Sequence, residues 1–233
     1  DPLDAHAGLR ERKKLATREA IGAAALRLAL ERGLDRVRVS DIAAAAGVSP
    51  RTYNNYFSSR EEAICAAGTE RTRRLVDALR GRPASEPLAK ALTHAMSYRL
   101  EHAEPDRAMF QVIFSDPGLR AEFLKGTFAM QRALAVAIAE RVGADPERDL
   151  MPRVVAAAYE GAARAAVSHW LRQEDGPPLR EVMREALTAL SPIATRLEWQ
   201  MRNRRRGRSA GGDAATGDDD GTTRPTRRAR LGR

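Results

Sequence analysis

Arg51, Asn54 and Asn55 stand three and four positions apart in the stretch "SPRTYNNYF", Ser49 to Phe57. On a helix that spacing gathers all three on one face and leaves Tyr53 and Phe57 on the opposite one. A guanidinium donates two hydrogen bonds to guanine O6 and N7, and a carboxamide makes the matching pair with adenine N6 and N7. Ser40, Ser49, Thr52 and Tyr56 place hydroxyls around the same region, where bonds to phosphate oxygens set the docking register. An ordinary solvated helix can carry the same three polar residues. The surroundings weigh against that reading, because the longer stretch "SDIAAAAGVSPRTYNNYF" combines small residues for a close crossing, a glycine turn and two inward aromatics. Double-stranded DNA is the expected partner of this face.

Such a face needs a scaffold. Residues 1–8 read as a loose arm. Leu9 to Arg32 reads as a long helix with Ile21, Ala24, Ala25 and Leu28 on one stripe and Gly33 as its stop. A helix near Val39 to Ala46, the turn "GVS" and a helix from Pro50 to Phe57 then close over that stripe. Proline costs no hydrogen bond in a first turn, and Ser49 before it can cap the free amides. Ser59, followed by "REE" with Glu62 in capping-box position, opens a connecting helix that runs to about Arg80. "GRPASE", residues 81–86, is the strongest breaker and the expected domain boundary.

Beyond it, helices are expected at about 86–102, 106–115, 117–142, 147–174 and 178–204, with Pro192 kinking or splitting the last. No segment alternates with period two, so the fold class is all-α. Val154, Ala158, Ala162 and Ala165 form a small-residue stripe. Leu179, Met183, Ala186, Leu190, Ile193 and Leu197 form a seam with coiled-coil spacing, suited to subunit pairing or to packing within one subunit. Met96, Phe110, Phe114, Phe123, Phe128, Met130, Tyr159 and Trp170 gather the bulky side chains of this half. They can be plain core, or they can enclose an apolar small molecule with Arg99, Glu160 or Arg164 at its polar end.

The charge is divided along the chain. Residues 1–60 hold 11 Lys and Arg against 7 Asp and Glu, residues 61–200 hold 19 against 20, and residues 201–233 hold 10 against 4. Basic ends around a neutral middle fit polyanion contact at the ends and another task between them. Residues 206–233 read as a disordered basic tail. Cys65, the single cysteine, rules out an internal disulfide. The four histidines, His6, His94, His102 and His169, show no metal-ligand motif such as H-E-x-x-H; only His94 and His102, two turns apart on one expected helix, share a face. No phosphate loop or nucleophile elbow is present, so neither an enzyme nor a bound cofactor is expected. No apolar run is long enough to cross a bilayer and no signal peptide opens the chain, which makes a cytoplasmic protein the expectation.

The stretch "TREAIGAAALRLALERGLDRVRVSDIAAAAGVSPRTYNNYFSSREEAI", Thr17 to Ile64, resembles the amino-terminal domain of TetR-family transcriptional regulators. The resemblance implies a helix-turn-helix over about residues 39–57, a carboxy-terminal ligand-binding and dimerisation domain over about 86–205, and a homodimer on a near-palindromic operator. It implies phosphate contacts for Thr17, Ser40, Ser49, Thr52, Tyr56 and Arg60, and base-facing positions for Pro50, Arg51, Asn54 and Asn55. Arg38 stands where the family often has a capping threonine; the cap then passes to Ser40, and Arg38 is freed to grip a phosphate. The Ala-rich "AAAYEGAARAAVSHWL" resembles the acyl-CoA-responsive and mycofactocin-regulator-like branch of the family. Its implied role is that of a repressor released by an apolar or acyl-CoA-like effector, with a ligand-independent activator or architectural factor as the alternative.

Overall fold

The computed structural model describes residues 2–101 and 107–212, and within them the chain forms eleven α-helices and no strand. In order these are α1 (Pro2–Arg32), α2 (Val39–Ala45), α3 (Pro50–Asn54), α4 (Arg60–Cys65), α5 (Ala67–Arg80), α6 (Leu88–Glu101), α7 (Arg107–Ser115), α8 (Pro117–Val142), α9 (Leu150–Arg172), α10 (Leu179–Thr188) and α11 (Ser191–Gly212). Residues 206–212, read as the start of a disordered tail, continue α11, and residues 213–233 lie outside the described residues. The first helix begins at Pro2, inside the stretch read as an arm.

The apolar positions sort into two cores. Ile21, Ala25 and Leu28 of α1 meet Ile42 and Ala43 of α2, Tyr53, Phe57, and Ala63 and Ile64 of α4. This head closes because Gly47 takes φ 68°, a left-handed turn that residues with a Cβ adopt at a cost. The second core spans α5 to α11 and starts at Leu75, Val76 and Leu79. The two packing clusters therefore meet at the break between α4 and α5, after Cys65, ahead of residues 81–86. Those residues only turn the chain from α5 into α6, held there by Arg141, whose guanidinium donates to the carbonyls of Arg82, Pro83 and Glu86.

Side chains cross the division in both directions, among them Val112 of α7 against the head's core and Leu26 and Leu30 of α1 against the second core. Leu119, in the first turn of α8, is 0% exposed and packs in the head's core. Asp116 caps that helix by accepting from the Leu119 amide at 2.8 Å, and the Leu119 carbonyl accepts from the Cys65 thiol at 3.6 Å. The second half is thus keyed into the head through the start of α8.

The expected last helix is split into α10 and α11 at Ser191–Pro192, as a proline without an N–H requires. Leu179, Met183 and Leu197 of the predicted seam are buried within their own subunit, and Ala186, Leu190 and Ile193 pack partly buried against the same core. Val154, Ala158 and Ala162 are half-buried, Ala165 is exposed, and Trp199 on α11 is 63% exposed.

Candidate nucleic-acid interface and the cavity behind it

Helix α3 is short and held at both ends. Ser49 Oγ accepts from the Thr52 amide at 3.0 Å, which satisfies one of the free donors of the first turn. Tyr53 is buried, packs against Phe57 with ring centroids 5.8 Å apart, and donates its hydroxyl to the Ser59 carbonyl at 2.8 Å. Burial, reinforced by the charges of Glu61 and Glu62, pushes the Tyr53 phenol up to about 12, so it remains a donor throughout the physiological range. Arg18 of α1 lies over the Phe57 ring at 4.3 Å, donates to the Tyr56 carbonyl at 2.7 Å and pairs with Glu62. Burial raises the Glu62 carboxyl, but the Ser58 amide and hydroxyl and Arg18 together outweigh it and hold the group below the usual carboxylate range. These contacts fix how α3 projects.

On its outer side Pro50, Arg51, Asn54 and Asn55 are all exposed. Asn55 forms the carboxy-terminal cap of α3 with helical dihedrals, so it stays in register with Arg51 and Asn54. Around them Ser40 and Ser49 are exposed, while Thr52 and Tyr56 are half-buried. Thr17 is half-buried and donates its hydroxyl to the Lys13 carbonyl at 2.9 Å.

Two residues differ from expectation. Arg38, not Ser40, is the N-cap of α2: its amide donates to Asp41 Oδ2 at 3.1 Å, and Ser40 falls inside the helix. Since an arginine side chain has no acceptor, the acid at the third helical position supplies the capping bond. Its own exposed side chain is left to reach outward. Arg60 is committed inward, donating to the carbonyls of Leu34 at 2.9 Å and Val37 at 3.1 Å and pairing with Glu61 at 2.7 Å. It clamps the turn between α1 and α2. Arg60→Ala is therefore expected to destabilise the chain by about 1–3 kcal/mol, as lost charge-assisted bonds do. Chemical denaturation reads that loss, and the salt dependence of DNA binding by the still-folded fraction should keep its slope.

Behind the head lies a cavity of about 80 Å³ whose wall includes Phe110, Phe114, Phe123, Glu160 and Arg164. Phe110 stacks on Phe114 at 6.4 Å and meets Trp170 edge-on at 6.3 Å, while Phe114 meets Phe123 edge-on at 5.4 Å. Of the other residues expected here, Met96, Tyr159 and Trp170 are buried in the surrounding core and do not border the cavity. Trp170 is instead covered by Arg107 at 4.2 Å. Burial pushes the Tyr159 phenol up to about 12. Phe128 is turned to the outside of α8, 62% exposed, because it falls on the face opposite Thr127 and Met130. The Arg99 side chain lies outside the described residues. Sequence reasoning missed the wall nearest the head, formed by Cys65 and Thr72 from either side of the α4–α5 break, together with Thr127, Met183 and Gly126.

A head with this geometry occurs in a known setting. Residues 21–64 match the family model "Bacterial regulatory proteins, tetR family", and residues 82–194 match the model "MftR C-terminal domain". The HTH-type transcriptional regulator TcmR of Streptomyces glaucescens is 32% identical over 79% of this chain and 87% of its own length. The chain belongs to the tetR family. As a TetR-family protein it is a DNA-binding transcriptional regulator with a carboxy-terminal ligand-binding domain. The fold agrees with solved TetR-family structures. Thermus thermophilus FadR, a transcriptional repressor crystallised with lauroyl-CoA, is 24% identical, with a TM-score of 0.50 over 75% of this chain and 92% of its own. A tetR-family regulator from Streptomyces coelicolor is 20% identical, with a TM-score of 0.50 over 81% of this chain and 87% of its own. For a TetR-family chain the split between α4 and α5 matters, because the cavity wall and the head meet there.

Proposed function

We propose that the chain is a homodimeric repressor, held on a near-palindromic operator by two α3 helices and released when an apolar small molecule enters the cavity lined by Phe110, Phe114 and Phe123. Arg51, Asn54 and Asn55 face base edges, and Thr17, Arg38, Ser40, Ser49, Thr52 and Tyr56 reach phosphates. In a two-fold dimer the reading helices enter successive major grooves, so half-site centres lie about 34–36 Å apart or a multiple of that. Pairing uses the partly uncovered small-residue face of α9 and the exposed Trp199 of α11.

The observation that carries the release mechanism is the position of Cys65 and Thr72 in the cavity wall. A molecule in the cavity presses on both sides of the α4–α5 break, and α4 belongs to the head's core. At about 80 Å³ the space is smaller than the roughly 300–1,000 Å³ of common small-molecule sites. An effector must therefore spread the walls, and a ligand that favours the spread arrangement weakens DNA binding by the same factor by which DNA weakens the ligand. The same small volume also favours the second reading, a regulator that needs no ligand and keeps its core closed.

The lauroyl-CoA of the FadR structure makes a medium-chain acyl thioester the first probe. Lauroyl-CoA is expected to raise the melting temperature and to release labelled operator over the same concentration range. Stabilisation without release contradicts the linkage. No response to lauroyl-CoA or to a panel of apolar molecules supports the ligand-independent reading.

A further inference from the structure

A second cleft, of about 460 Å³, opens between α6 and the α10–α11 corner. It differs in chemistry from the aromatic cavity. Lys90, Thr93, His94 and Ser97 enter from α6, and Arg184 and Thr188 face them from α10. The α6 residues recur every three or four positions, so one helical face supplies a cation, two hydroxyls and an imidazole. Lys90, His94 and Arg184 are exposed. The Ser97 hydroxyl oxygen is buried and has no hydrogen-bond partner among the described residues.

No acid lines the cleft itself among the described residues. Glu86, beside Lys90 and His94, accepts two bonds from Arg82 at 2.6 and 2.7 Å and is held there. Glu181 and Glu185 line the shallower depression on the next face of α10, which shares only Arg184 and Thr188 with the cleft. A concave surface with two fixed cations, an imidazole and several hydroxyls matches an anion with three or more acceptor oxygens.

We propose that this cleft binds a phosphate-bearing small molecule, with the phosphate between Lys90 and Arg184 and hydroxyl bonds from Thr93 and Ser97. DNA is not its occupant. The cleft opens beside Pro87 and Lys90, past the carboxy-terminal end of α5, a 14-residue helix about 20 Å long that starts at the head's last helix. Met183 borders the aromatic cavity and its neighbour Arg184 borders this cleft, so α10 separates the two sites. The proposal does not depend on what enters the aromatic cavity.

The test is calorimetric titration of the full chain with inorganic pyrophosphate in magnesium-free, low-chloride buffer. One saturable site per chain is expected, weakened at least tenfold in Lys90→Gln and in Arg184→Gln and unchanged in Arg120→Gln, an exposed arginine on α8. The side chains changed are exposed, so melting curves of the variants should overlay the parent. Saturating the chain with unrelated duplex beforehand should leave the pyrophosphate isotherm as it was. Non-saturable binding, equal binding by all variants, or displacement by duplex overturns the proposal.

Discussion

Arg51→Ala and Asn55→Ala are each expected to remove about 1–3 kcal/mol of discrimination between operator and unrelated duplex, roughly 5- to 150-fold in relative affinity. The size follows from how the two side chains are mounted. Both are exposed on a helix whose start is capped by Ser49 and whose inner face is anchored by Tyr53 on the Ser59 carbonyl. Neither has a hydrogen bond or ion pair from its side chain to give up among the described residues. The carrier is rigid, so what is lost on truncation is the contact itself. The two variants should differ in one respect. Asn55→Ala leaves binding to unrelated duplex unchanged, while Arg51→Ala also weakens it slightly by removing a positive charge. Binding titrations on operator and scrambled duplex at two salt concentrations separate these effects.

The second large effect belongs to Leu119. Leu119→Ala is expected to cost about 2–5 kcal/mol of stability, the range for removing a fully buried leucine side chain. The site has little room to collapse, since Cys65 and the first turn of α8 are joined at the Leu119 carbonyl. The consequence reaches beyond stability, because α8 also carries Phe123, Thr127 and Met130 of the cavity wall. Loosening its first turn in the head's core should therefore reduce effector release along with the folding free energy. Leu119→Met, which nearly conserves volume, should retain both. A loss under about 0.5 kcal/mol in urea denaturation would place Leu119 among surface positions and contradict the keyed arrangement.

The head was legible because its signals are local. The stripe on α1, Gly47, the Ser49–Pro50 start and the Tyr53–Phe57 pair each act within a few residues, and the structure assembles them as their spacing predicts. Local signals failed where a distant partner decides. Arg60 reads as a surface cation until the turn at Leu34–Val37 folds back onto it. Leu119 belongs by sequence to the second half and by packing to the first. The break after Cys65 carries neither Gly nor Pro, so only the different demands of the two cores on α4 and α5 reveal it. Phe128 shows the same limit in reverse. An aromatic in an apolar helix reads as core, yet with Thr127 and Met130 facing inward it is left outside. The seam from Leu179 to Leu197 suggested pairing between subunits ahead of packing within one, and its inward burial reflects α10 lying between α6 and α9.

The most direct test of DNA reading by α3 is enrichment of bound duplexes from a random pool by the full chain. A near-palindromic motif, with half-sites one helical turn or a whole multiple apart, is the predicted result. Recovery of sequences with no common motif, at an affinity set by salt alone, would contradict it.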